Sequence, residues 1–183
     1  AAQVALQAAN ELARIAQAAE LAGIARRALE LTRDYMTTRV QFGKPIGSFQ
    51  ALQHRLVDGL IQVELAEACL HEVLRTVNES NLPNVASRVK ARCAHAATEM
   101  TRMAIQLHGA IGTTNEYDIG LYFKRAMTLA SRWGNAAAHR RRYAQLVLMT
   151  APRENDDAQR QYSEFPTDLD WEHMPEAEFR QTV

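Results

Sequence analysis

The chain reads as an all-α protein, an antiparallel four-helix bundle, on three observations. Its 183 residues are rich in Ala, Leu, Arg and Gln and hold only eight glycines and five prolines, a balance that favours helices over strands. Apolar residues recur at helical intervals along four long stretches, and no alternating strand pattern appears. The connections between these stretches are short, as antiparallel neighbours require. A chain of this length forms one domain with a real core.

The first helix is expected from about Gln3 to Thr37. Val4, Ala5, Ala8, Leu12, Ile15, Ala19, Ala22, Ile24, Leu29 and Met36 mark its apolar positions, and Arg26, Arg27, Glu30, Arg33 and Asp34 a wetter face. Ala16, Ala18, Ala19, Ala22 and Gly23 are small enough for close helix contact. A second helix is expected from about Phe49 to Asn78, with Ser48 as its N-cap and Leu52, Leu56, Leu60, Val63, Leu70, Leu74 and Val77 in the core. Asn78-Glu79-Ser80-Asn81 closes it with short polar turn formers. Pro83 opens a third, which runs through Val89, Cys93, Ala97, Met100 and Met103 to Leu107. The fourth is expected to begin near Glu116 to Asp118 and to run through Leu121, Met127, Leu129, Ala136, Tyr143 and Leu146 to about Met149, tolerating Gly134 inside it. This bundle occupies residues 1–150. Residues 151–183 read as an acidic tail, irregular or packed on a neighbour through Phe165, Trp171, Met174 and Phe179.

The net charge is zero but uneven, because the tail holds nine acidic residues against three Arg, leaving 18 basic against 12 acidic in residues 1–150. That surplus is either a solvated face or an attraction for phosphate-bearing ligands or an acidic partner. Cys69 and Cys93 form no disulfide framework, which points to a reducing, cytoplasmic setting. No signal-peptide pattern or membrane-length apolar run is present. The chain opens at Ala1 rather than Met, as a processed chain or a fragment would. Nucleic-acid binding has no aromatic platform or motif behind it.

Two stretches carry special backbone chemistry. Arg39 to Gln50 reads RVQFGKPIGSFQ, Gln106 to Arg125 reads QLHGAIGTTNEYDIGLYFKR, and five of the eight glycines fall within them. Gly43-Lys44-Pro45-Ile46-Gly47 cannot continue a helix. Gly109-Ala110-Ile111-Gly112 breaks the chain similarly and is expected to leave backbone amides facing an anionic ligand. Arg39 is a permanent cationic fork, Phe42 an apolar ring, and Gln50 and Gln106 can both donate and accept.

Taken together, Arg39 with Gln41 to Gly47, Phe49-Gln50 and Gln53-His54, then Gln106 to Gly112 with Glu116-Tyr117 and Leu121 to Ala126, resemble the C-terminal helical domain of the acyl-CoA dehydrogenase family. The resemblance covers roughly residues 10–148. It implies FAD as cofactor, an acyl-CoA thioester as substrate desaturated between its α and β carbons, and a homo- or hetero-oligomer. It also implies that Arg39, Phe42, Gln50, Gln106, Gly109 and Ala110 meet the FAD pyrophosphate and adenosine across a subunit interface. Ala110 stands where a second Gly is common, and Arg125 where many relatives carry Asp.

The same resemblance locates the catalytic base, and here the chain departs from it. The usual position, just before a Gly in the fourth helix, falls on Trp133, and the minority position, just before Arg14, falls on Ala13. Neither is acidic, and α-proton abstraction needs a carboxylate. Glu11 points to a different face from Ala13, and Glu116 suits a helix start. The domains that normally precede this bundle are not in the sequence. The implied role is therefore an FAD-binding part of such an enzyme, or a scaffold or partner subunit in a heteromeric one. A di-metal bundle is disfavoured, since Glu67 with His71 and His95 with Glu99 are spaced by four residues where that chemistry uses three. His108 is expected to orient the glycine loop, His54 and His139 have no assignment, and Arg140-Arg141-Arg142 reads as a solvated helix end or a phosphate contact.

Overall fold

The structure is a computed structural model that describes residues 2–114 and 116–150; the expected tail at 151–183 lies outside the described residues. Helix α1 spans Ala2–Thr38, α2 Gln50–Thr76, α3 Leu82–His108, α4 Ile119–Ser131 and α5 Ala136–Thr150. The all-α bundle is thus observed, with α3 at its centre: it packs most extensively on α1, then on α2 and α4. The α1–α3 seam is lined by small side chains, with Ala18, Ala22, Ala25 and Ala28 buried on one helix and Ala86, Ala94, Ala97 and Ala104 on the other. Such residues let two backbones approach closely, and Leu21, Val63, Val89, Met100 and Ile119 fill the remaining core.

Five expectations need correction. The fourth helix is two helices, because Trp133 and Gly134 both take positive φ, 57° and 103°. The half beyond the break, α5, buries no large apolar side chain among the described residues; Ala136, Tyr143 and Leu146 are only partly buried. Ser48 does not cap α2: Phe49 holds the N-cap position, and the Ser48 hydroxyl donates to the Pro45 carbonyl at 2.8 Å. Two short strands, β1 (Val40–Gln41) and β2 (Lys44–Pro45), pair antiparallel where none was expected. Lastly, Val4, Leu12, Leu60, Leu74, Leu121 and Met127 are exposed, and Ala16, Ala19 and Gly23 face outward on α1. A helix in a small bundle turns only one stripe inward, so apolar periodicity wider than that stripe stays at the surface.

Candidate functional site

The chain leaves α1 by a tight hairpin. The Arg39 amide closes the helix on the Tyr35 carbonyl at 2.8 Å, and the Ile46 amide returns to the Arg39 carbonyl at 2.8 Å. Between Gln41 and its partner Lys44, the two-residue loop Phe42-Gly43 has φ of 54° and 77°, the pair of positive values a type I′ turn demands. Glycine adopts that region freely; for Phe42 it costs about 1–2 kcal/mol. The turn projects the Phe42 ring almost wholly into solvent, 91% exposed, touching the edge of Phe49 at 6.1 Å between centroids. Lys44 lies over the other aromatic ring, its Nζ 4.4 Å from the Phe49 centroid. The exit into α2 is just as tight: a Cβ on Gly47 would lie 2.9 Å from the Met36 carbonyl oxygen, and Gln53 Nε2 donates to the Gly47 carbonyl at 2.7 Å.

The second loop closes α3. Gly109 takes φ 66° and ψ −140° at the helix end, and Gly109–Thr113 winds into a short 3-10 turn. Its own amide donates back to Gln106 and Ile105 carbonyls, so the expectation that this amide faces a ligand is corrected: it finishes the helix. At Gly112 a Cβ would meet the Ile105 carbonyl oxygen at 2.9 Å, whereas one at Gly109 would meet nothing within 4 Å.

Packing brings the two loops to one end of the bundle. Ile46, Met36 and Leu107 form a small cluster with Phe49, Leu52 and Met103 around it. His108 is buried and stacks on Tyr35, ring centroids 4.4 Å apart, with Tyr117 at 4.7 Å on it. Its Nδ1–H donates to the Ala104 carbonyl at 2.7 Å, and the Tyr35 hydroxyl donates to the His108 carbonyl at 3.3 Å. Burial lowers the His108 pKa, with the Ala104 carbonyl pulling the other way. The neutral ring therefore orients the loop, and its buried Nε2 has no partner among the described residues. On this scaffold Arg39, Phe42, Gln50, Gln106, Gly109 and Ala110 are all exposed, and Arg39 makes no side-chain bond among the described residues. Exposed Glu116 precedes α4, whose N-cap position is Asp118. The Glu116 amide donates to Thr114 Oγ1 at 3.4 Å.

The far end is built differently. The α4–α5 joint is held by two buried cations or potential cations. Lys90 Nζ donates to the Leu129 carbonyl at 2.7 Å, and burial pushes its ammonium down to about 8. His139 Nε2–H donates to the Trp133 carbonyl at 3.0 Å, and burial lowers this imidazole's pKa too. The Arg132 guanidinium covers the Trp133 ring at 4.7 Å. Glu11 is buried but committed: Arg14 pairs with it at 2.7 Å, and Arg142 Nη1 bonds it at 3.0 Å and Ser87 at 2.8 Å. Ala13 is half-buried on α1. Ala13 lies 26 positions before Arg39, which directly follows the end of α1, so at about 1.5 Å per residue the two stand roughly 39 Å apart.

A family model described as "Acyl-CoA dehydrogenase, C-terminal domain" matches residues 3–148. The chain belongs to the acyl-CoA dehydrogenase family. Acyl-CoA dehydrogenase IpdE2 of Mycolicibacterium smegmatis is 45% identical over 118 residues, covering 63% of this chain and 36% of that protein. The chain thus spans about a third of that relative's length. Among solved structures, the Tcur3481-Tcur3483 steroid ACAD superposes with a TM-score of 0.71 at 31% identity, over 76% of this chain and 39% of that one. The ChsE4-ChsE5 complex from Mycobacterium tuberculosis gives 0.73 at 29%, over 78% and 39%.

For an acyl-CoA dehydrogenase domain, the two positions that sequence resemblance assigns to the base carry no acid, and nearby Glu11 is neutralised by two arginines. Sequence reasoning missed Tyr35, and it placed Tyr117 and Gln53 in the motifs without a role: Tyr35 and Tyr117 pack on His108 to join the loops, and Gln53 fastens the first loop at Gly47. It also missed Lys90 and left His139 unassigned, the two that tie down the joint. A Tyr one helical turn before Arg39 is a signal for the first; a lysine amid the apolar residues of α3 is one for Lys90. Of the pairs weighed for a metal, Glu67 is bound by Arg26 and Glu99 pairs with Arg102 at 3.5 Å. Among the described residues no group of three His, Cys, Asp or Glu is placed to hold a metal, and no helix is long and apolar enough to cross a membrane.

Proposed function

We propose that this chain supplies the pyrophosphate- and adenosine-binding part of an FAD site belonging to a neighbouring subunit, within an acyl-CoA dehydrogenase whose base comes from elsewhere. The observation that carries the reading is separation. Arg39 and Phe42 stand just past the C-terminal end of α1 and Ala13 roughly 39 Å back along it, and Trp133 lies a further helix, α4 (Ile119–Ser131), from the glycine loop. One flavin nucleotide does not reach both ends, so each end serves a different site, as an interface between subunits allows.

The residues at the loop end fit such a cofactor. Arg39 is exposed and unpaired among the described residues, and charge-assisted forks are the strong pyrophosphate contacts. Phe42 is held out by its turn for an adenine or flavin edge. Gly109 leaves open space where a Cβ would stand, and Gln50 and Gln106 supply exposed side-chain amides. These residues would hold and orient FAD, which would supply a hydride acceptor for the acyl-CoA β carbon, and they would move no proton. Ala13 and Trp133 cannot take the α proton, which assigns that step to a partner subunit. Relatives bearing two-component names, Tcur3481-Tcur3483 and the ChsE4-ChsE5 complex, support a heteromeric assembly. The free thiols of Cys69 and Cys93 suit a reducing cytoplasm.

The test is to purify the chain with its full-length parent or co-encoded partner and to measure bound flavin by absorption before and after denaturation. FAD is expected, and Arg39→Ala should weaken its retention about 10- to 100-fold, the worth of one or two charge-assisted bonds. A colourless, stable oligomer would leave only an assembly role. Flavin bound equally well by Arg39→Ala would move the cofactor away from this loop.

A further inference from the structure

A second cationic site lies on the side of the bundle, away from both loops. Arg88, Arg92 and His95 recur at i, i+4 and i+7 on one face of α3, and Arg140 and Tyr143 face them from α5. Together with Ala91 they line an open cleft of about 190 Å³. Two of the guanidinium groups are held in place from behind. Arg88 pairs with Glu72 at 2.9 Å, and Arg92 Nη2 donates to the Gln62 Oε1 and carbonyl at 2.8 and 3.2 Å. Those anchors leave the Nε of both arginines buried and without a hydrogen-bond partner. Arg140 has no bond or ion pair among the described residues. Those two Nε atoms are shielded from the cleft, so an anion there would be met by the parts of the fixed side chains that remain accessible, Arg88 being 32% exposed, and by exposed Arg140.

We infer that this cleft is an anion site for a phosphate group. Three guanidinium forks offer more donors than the two oxygens of a carboxylate accept, and they match the several oxygens of a phosphate. The Tyr143 ring and Ala91 give the anion an apolar wall, against which a substituent on the phosphate can rest. Among the described residues Glu72 is the one acid bonded to these residues, and it is already spent on Arg88. The crowding of like charge shows at His95, whose pKa is lowered by burial and then by Arg140, with Glu99 opposing and Arg92 adding to the depression.

The test is calorimetric titration of the full chain, alone and with its partner, using inorganic phosphate at constant ionic strength with chloride as reference. Saturable phosphate binding is expected. Arg140→Ala should weaken it about tenfold, Arg140→Lys less, and Arg39→Ala not at all. Because Arg140 is exposed, circular dichroism should show both of its variants folded. The Arg39→Ala result separates this site from the proposed flavin loop, so either reading can fail alone. A nucleoside monophosphate binding more tightly than phosphate would identify the ligand as a nucleotide resting on Tyr143, and equal affinity would identify the free anion. Phosphate binding no tighter than chloride, unchanged by Arg140→Ala, or lost with Arg39→Ala would overturn the site.

Discussion

The protein makes the same unusual backbone move twice, an aromatic residue at positive φ followed by a glycine at positive φ, once as Phe42-Gly43 and once as Trp133-Gly134. At the first, the backbone itself holds the turn, through strand pairing and the Arg39–Ile46 bond. Side chains there are released to solvent: Phe42 is 91% exposed and Arg39 has no partner among the described residues. At the second, buried side chains hold the turn, His139 on the Trp133 carbonyl and Lys90 on Leu129. Its aromatic ring is covered by Arg132 and only 43% exposed. A backbone-held turn can present side chains to a ligand; a turn held by side chains has used them up. This is the physical reason to look for binding at the loop end.

The sharpest way to break the contrast is to attack each turn through what holds it. Gly47→Val should cost about 2–3 kcal/mol, because its Cβ meets immovable Met36 backbone, and a lowered urea midpoint would register it. His139→Ala should cost about 1–2 kcal/mol by leaving the Trp133 carbonyl without its donor. Measured in a Trp171→Phe background, the same variant should red-shift Trp133 emission while leaving flavin retention intact. Equal flavin loss in both variants would erase the distinction between the two ends.

Titration sharpens it further. His108 and His139 both have lowered pKa values in the fold. On acidification the unfolded chain takes up protons at the ordinary histidine pKa while the folded chain does not, so stability falls as pH drops through that range and below. Lys90 acts at the other limit. Between about 8, its folded value, and the ordinary lysine range, only the unfolded chain keeps the proton, so this residue's contribution rises with pH there. Chemical denaturation at a series of pH values should show the acid loss reduced in His139→Gln and the alkaline rise absent in Lys90→Met. The smallest effect belongs to Phe42→Gly. Relief of about 1–2 kcal/mol of left-handed strain is set against about 0.5–1 kcal/mol of lost chain stiffness. A gain of roughly half a kcal/mol in thermal stability together with weaker flavin retention is the expected result, and a loss of stability would mean that the exposed ring supports the hairpin.

The loop end was legible because its residues dictate local geometry: Gly43, Gly47 and Gly109 sit where a helix cannot continue, and the two motifs stand in family order. The helix break at Gly134 was not legible, since an isolated glycine is tolerated inside many helices. What converts it into a joint is a buried histidine five residues on and a lysine from another helix, 44 residues earlier in the chain. The cap at Ser48 failed for a related reason, because its hydroxyl found the Pro45 carbonyl first.

By itself the sequence determined the helical class, the two glycine loops, the family, and the missing acids at Ala13 and Trp133, all of which depend on residue identity and short spacing. Tertiary structure alone decided which wide apolar stripe turned inward, how Tyr35, His108 and Tyr117 join the loops, and that Arg88, Arg92 and Arg140 converge from separate helices. Those outcomes depend on contacts between residues far apart in the chain, and helical periodicity carries no information about which face meets which neighbour.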